Sequence, residues 1–235
     1  MIVLRSLLFV AAFYLWSAVA ALAMLPLLLA PRRWMMAAMK LWALAVIMLV
    51  RAICGVRVEV RGRQHLPGGA ALIGAKHQCM FDTMAPFTVF ADGAYVMKRE
   101  LMNIPFYGWY CRKAGMIVVD REAHAKALRQ LIADARQRVL ANRQVVIFPE
   151  GHRTAPGTHE AYKPGVAALY RDLGLPCTPM ATNSGVHWPA HGFIRRPGLI
   201  VYQFLEPIPA GLRRGQFMQL LEERLEGASS LLLAE

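Results

Sequence analysis

The chain has 235 residues, of which 56% are hydrophobic and 18% charged, and 27 Lys and Arg against 15 Asp and Glu give a formal charge of +12. That length holds one α/β domain of ordinary size plus an appendage, and the charge points to anionic partners: an acidic leaflet, a phosphorylated substrate, an acidic carrier protein or nucleic acid. No zinc-finger or RNA-sheet motif supports nucleic acid, and Cys54, Cys79, Cys111 and Cys177 are scattered without metal-ligand spacing, as reduced thiols would be.

From Ser6 to Ala30 the chain carries no charge. As a helix this run would reach about 37 Å, enough for a hydrocarbon core of about 30 Å and too long for an ordinary signal peptide. Pro31-Arg32-Arg33 then reads as a membrane-surface stop. The next apolar stretch, Trp34 to Val56, is interrupted by Lys40 and Arg51, and its unbroken part, Leu41 to Val50, is too short to span alone. A crossing hairpin with a cytoplasmic N-terminus would put Arg32, Arg33 and Lys40 outside, against the positive-inside tendency. Two arrangements avoid this: both segments lie in one leaflet, or the first crosses and the second rests at the interface. The expectation is a membrane-anchoring helical hairpin over residues 1–55, with residues 56–235 as a catalytic domain on the cytoplasmic face of the cell membrane.

Beyond the hairpin, Val56 to Arg61 alternates valine with charge, the pattern of a half-buried strand. Further strands are expected at Ala70–Ala75, Ala94–Met97, Met116–Val119, Gln144–Phe148, Cys177–Thr182 and Gly198–Phe204. Between them the spacing predicts helices over Asp82 to about Ala91, Leu101–Lys113, Ala123–Asn142 and Lys163–Gly174, with a last helix from Gly215 to about Leu225. Strands alternating with helices imply an α/β fold: a mixed, mainly parallel sheet of about seven strands, covered by helices.

The chemistry gathers at strand ends. His77-Gln78-Cys79-Met80-Phe81-Asp82 follows the second strand. Residues five apart on an α-helix point about 140° from each other, so His77 and Asp82 can cooperate only across a turn. There Asp82 would accept the Nδ1 proton of His77 and leave Nε2 free as a base. Against this, Asp82 could simply cap a helix starting at Thr83, and His77 could be a satisfied structural histidine. Cys79 is a rival nucleophile, or a small residue filling the turn.

Phe148-Pro149-Glu150-Gly151-His152-Arg153 breaks a buried strand, frees the backbone at Gly151 and projects a guanidinium whose fork suits phosphate. Glu150 could orient that arginine or hold a substrate hydroxyl. Lys98 could pair with phosphate while the aromatics of Ile104 to Trp109 border an acyl groove, and Asp120-Arg121 adds another anion contact. The first block also reads as a strand-ending turn with a surface ion pair, and the Lys98 run as a solvated charge cluster preceding a packed helix. His187, Trp188 and His191 read as rim or membrane contact rather than a metal set.

In their order, these blocks resemble the 1-acyl-sn-glycerol-3-phosphate acyltransferase (PlsC-like) family. His77 to Asp82 matches its H-x4-D block, Lys98 to Trp109 its K-x-E-L-x-x-I-P-F-x-G-W block, Phe148 to Arg153 its F-P-E-G-T/S-R block, and Pro179-Met180-Ala181 its final V-P-V/I-A segment. Lys76 stands where an asparagine often precedes the histidine, and His152 replaces a threonine or serine. The resemblance implies acyl transfer from acyl-CoA or acyl-carrier protein to the sn-2 hydroxyl of lysophosphatidate, without a metal or organic cofactor. His77 would be the general base and Asp82 its orienter, Lys98, Arg121 and Arg153 would grip phosphate, and Glu150 and Gly151 would shape the acceptor site. Another acceptor, such as a lyso-ornithine lipid, and a non-enzymatic membrane-binding module are the alternative readings.

Overall fold

The computed structural model describes residues 1–120 and 124–235. Seven strands form one sheet: β1 (Val56–Arg61), β2 (Ala71–Ala75), β3 (Gly93–Lys98), β4 (Ile117–Val119), β5 (Gln144–Ile147), β6 (Cys177–Thr182) and β7 (Gly198–Phe204). Their order is β1-β7-β6-β2-β5-β3-β4, parallel throughout except where β7 meets β6. The expected mixed, mainly parallel sheet is what forms.

The helices are α1 (Ile2–Ala23), α2 (Arg32–Cys54), α3 (Tyr107–Ala114), α4 (His124–Leu140), α5 (Gly165–Leu173), the short α6 (Ser184–His187) and α7 (Arg214–Leu233). Strand alternation sorts the core into two layers. Ile73, Ala75, Val146 and Tyr202 face the hairpin and α3, while Leu72, Val145, Ile147 and Cys177 face α4, α5 and α7. Both faces of the central strands are thereby removed from water, as a parallel sheet requires. All four cysteines are free and buried.

Three expectations are corrected. No helix follows Asp82. The chain makes 3-10 turns at Met80–Thr83 and Pro86–Thr88 instead, because the Asp82 carboxylate turns back to accept N–H groups upstream rather than capping a helix ahead. The helix expected from Leu101 starts only at Tyr107. Pro105 and Phe106, held at φ 62°, break it, and Gly108 lies so close to the Met102 carbonyl that an added Cβ would stand 2.1 Å from the oxygen. The last helix runs to Leu233, well past the expected end.

α1 and α2 are each long and apolar enough to cross a bilayer by length and composition. Two of the cations on α2 nevertheless face protein. Arg32, expected at a membrane-surface stop, donates to Asp92 at 2.8 and 2.5 Å, and the Lys40 ammonium donates to the carbonyls of Phe90 and Ala91. The Ser6 hydroxyl accepts the Arg195 N–H at 2.9 Å, and the Tyr110 hydroxyl donates to the Ala21 carbonyl. The hairpin is therefore fastened to the sheet domain near its start, at its bend and along its second helix. Its other face, including Leu4, Leu8, Leu15, Leu22, Leu41 and Met48, is bare and apolar.

Candidate active site

In a parallel α/β sheet the strands' carboxyl ends gather the loops that carry chemistry. β2 and β5 are neighbours in register from Ala71↔Gln144 to Gly74↔Ile147, so the turn after β2 lies beside the turn after β5. His77 and Asp82 sit in the first, Glu150, Gly151 and Arg153 in the second.

The His77 Nδ1 lies 3.1 Å from Asp82 Oδ2. That oxygen also accepts the backbone N–H groups of Gln78 and Cys79 at 2.7 and 2.8 Å. Oδ1 accepts the Tyr202 hydroxyl at 3.1 Å, with the Cys79 thiol at 3.6 Å. A carboxylate so supplied with donors is held in place, and the Nδ1 proton is its natural third donor at Oδ2. That tautomer leaves the Nε2 lone pair free, and no hydrogen bond to Nε2 is found among the described residues. The imidazole stacks on Phe148, with ring centroids 4.0 Å apart, and 15% of its side chain is exposed. The ring is oriented from one side by Asp82, packed from another by Phe148, and in part exposed.

Cys79 does not compete for this role. Burial, then the Asp82 charge, push its thiol well above the usual range, so a thiolate nucleophile is disfavoured.

The second turn is tied to the first. The Thr154 N–H donates to the His77 carbonyl at 2.8 Å. Gly151 has φ +74°, a conformation that L side chains rarely adopt, and a Cβ there would press on the Lys163 stem at 3.3 Å. Glu150 departs from both of its expected roles. It touches neither Arg153 nor open solvent; its fully buried carboxylate pairs with Lys76 at 3.0 Å. Burial raises the Glu150 pKa, and the Lys76 ammonium partly offsets this. Lys76 also bonds both oxygens of Glu226 on α7, at 2.7 and 2.9 Å.

Arg153 is exposed and donates to the Ala190 carbonyl at 2.9 Å. Lys98 ends β3, two places from β2 in the sheet, with its ammonium 3.0 Å from Glu100. Asp120 pairs with Arg99 at 2.5 Å, and Arg121 lies outside the described residues. Trp188, expected at a rim, is buried. It stacks on Phe81 at 4.8 Å, meets Phe9 and Phe13 of α1 edge-on, and carries the Arg195 guanidinium over its ring at 4.1 Å. His152 pairs with Glu160 at 2.8 Å.

Tyr202 and Glu226 were missed by the sequence reading. Tyr202 occupies an inward position of an apolar strand, where its ring fits the core and nothing marks its hydroxyl. Glu226 lies beyond the point where the last helix was expected to stop.

The model of the Acyltransferase family matches residues 57–183, which include both turns. The chain belongs to the Acyltransferase family. Among acyltransferases it is 36% identical over 159 residues to the 1-acyl-sn-glycerol-3-phosphate acyltransferase of Pseudomonas aeruginosa, covering 68% of this chain and 62% of the relative. It is 28% identical over 137 residues to the human 1-acyl-sn-glycerol-3-phosphate acyltransferase alpha, covering 57% of this chain and 48% of that protein. The chain thus spans less than two thirds of the length of either relative. In fold it is similar to the crystal structure of the 1-acyl-sn-glycerophosphate acyltransferase PlsC from Thermotoga maritima, with a TM-score of 0.83 and 21% identity over 100% of this chain and 99% of that one.

Proposed function

We propose that this acyltransferase moves a fatty acyl group from a thioester, acyl-CoA or acyl-carrier protein, to the sn-2 hydroxyl of 1-acyl-sn-glycerol-3-phosphate, giving phosphatidate. The observation that carries the reading is the His77–Asp82 pair, whose geometry leaves the Nε2 lone pair unshared on a partly exposed ring. The relatives' names supply the acceptor.

In this scheme Nε2 takes the proton of the acceptor hydroxyl as its oxygen attacks the thioester carbonyl. Asp82 steadies the imidazolium that forms. Collapse of the tetrahedral intermediate expels the thiolate, which takes the proton back from Nε2. No acyl-enzyme forms and no metal or organic cofactor takes part. Arg153, with Lys98 and Arg121, holds the phosphate, and Gly151 lets that head group approach the backbone closely. Lysophosphatidate reaches the site from a membrane. The bare face of the hairpin enters one leaflet on the cytoplasmic side while the fastened face stays on protein. Because Arg32 and Lys40 are satisfied by Asp92 and by the carbonyls of Phe90 and Ala91, this position asks neither of these two cations to enter or cross the lipid.

The test is to give the purified full-length chain a labelled acyl-CoA or acyl-carrier protein with lysophosphatidate, lyso-ornithine lipid and other lysophospholipids in parallel. Labelled phosphatidate is the expected product. Turnover of another acceptor with none of lysophosphatidate overturns the acceptor assignment. Thioester left unconsumed with every acceptor overturns the enzymatic reading.

A further inference from the structure

Lys76 stands between two carboxylates in the protein interior. Its ammonium lies 3.0 Å from Glu150 of the second turn and 2.7 Å from Glu226 of α7, and the Tyr162 hydroxyl donates to the same Glu226 oxygen at 2.7 Å. One cation facing two anions leaves a net negative charge where water is scarce, an arrangement that is costly unless one anion is solvated or takes up a proton. The two carboxylates are unequal in this respect. The Glu226 side chain is 21% exposed and lines a cavity of about 530 Å³ with His159, Gln219, Glu222 and Glu223. Glu150 is sealed, and its Oε2 has no hydrogen-bond partner among the described residues. Glu150 therefore depends on its share of Lys76 in a way that Glu226 does not.

We propose that Glu226 is a positioning residue for the Phe148–Arg153 turn: by sharing Lys76 with Glu150, it sets where the Glu150 carboxylate sits and what charge it carries. Lys76 immediately precedes His77, and α7 supplies its second carboxylate. The groups facing Glu150 are Lys76 and His77 after β2, Thr154 of its own turn at 3.4 Å, Glu226 of α7, and Tyr162, which also feels Glu222. The Lys163 stem packs on the adjacent Gly151. Of these, Glu226 alone is a carboxylate bonded to the same ammonium and open to that cavity, so it links the cavity to the turn. Burial already lifts the Glu150 pKa against the pull of Lys76, which leaves its charge sensitive to what else the lysine holds.

The inference rests on the acyl-transfer reading only for its kinetic readout. The experiment is the pH profile of kcat/KM for lysophosphatidate, measured on the full-length wild type, Glu226→Gln, Lys76→Met and Glu223→Gln. Glu223 lines the cavity without bonding Lys76 and serves as the long-range charge control. Removing the Glu226 charge eases ionisation of Glu150, and removing Lys76 hinders it. The acid limb should move down by about half to one pH unit in Glu226→Gln and up in Lys76→Met, with Glu223→Gln near wild type. An unmoved limb in Glu226→Gln, or a shift no larger than that of Glu223→Gln, overturns the proposal. Should Lys76→Met fail to fold, that comparison decides alone. If the wild type acylates a different lysolipid, the acceptor assignment falls and the same profiles are taken with the acceptor that works. If it acylates none, the two glutamine variants are compared by the pH dependence of Tm, and identical dependences overturn the role of Glu226.

Discussion

The turns after β2 and β5 are neighbours, yet they hold their key side chains in opposite ways. Asp82 is sealed, and its two oxygens meet His77 Nδ1, two backbone N–H groups, a tyrosine hydroxyl and a thiol. Arg153 is exposed and spends one guanidinium nitrogen on a backbone carbonyl. A group that must present one lone pair in one direction gains from being over-determined, because misorientation is paid in rate. A cation that must receive an anionic head group arriving from a membrane keeps its reach and its hydration until the ligand comes. On the proposed function, the first turn governs kcat and the second governs KM.

That division is open to attack, and His77→Ala is the largest blow. It should lower kcat by about 10²–10⁴ or more, while the protein still sediments with lipid vesicles; near-normal turnover would remove the base from the mechanism. Arg153→Ala should act on the other side, raising KM for lysophosphatidate about 10- to 100-fold with kcat little changed, as expected for loss of a charge-assisted contact worth about 1.5–3 kcal/mol. A matching fall in kcat instead would mean that Arg153 acts on the reacting atoms. Tyr202→Phe deletes one of several donors to Asp82. It should cost about 1 kcal/mol, or roughly fivefold in kcat, without moving KM. Smallest of all, Cys79→Ala should leave activity within about twofold, and thiol alkylation near neutral pH should not inactivate the wild type, because the buried thiol stays protonated. Rapid inactivation by such a reagent at Cys79 would reopen the covalent route.

The sequence shows the strands well and their partners poorly. Cys177–Thr182 and Gly198–Phe204 form over the residues expected, because alternation and breakers are local signals. The H-x4-D spacing is likewise legible, since only a turn lets those two side chains meet. What stays hidden is whatever approaches from far along the chain. Tyr202 reaches Asp82 across 120 positions, and Glu226 reaches Lys76 across 150. Periodicity says which way a residue points and not what awaits it there. The helix wrongly expected after Asp82 has the same origin: an aspartate before Thr83 looks like a cap, and only the upstream N–H groups of Gln78 and Cys79 reveal that it turns backward.

The aromatic contact from Phe9 and Phe13 through Trp188 to Phe81 makes the hairpin part of the wall behind the turn after β2. Trimming the first two helices to obtain a water-soluble enzyme would strip that wall and leave Trp188 bare. Solubility is better sought by recoating the greasy outer face than by amputation. For the same reason, a chimaera that borrows another protein's anchor must also borrow the rings on its inner side.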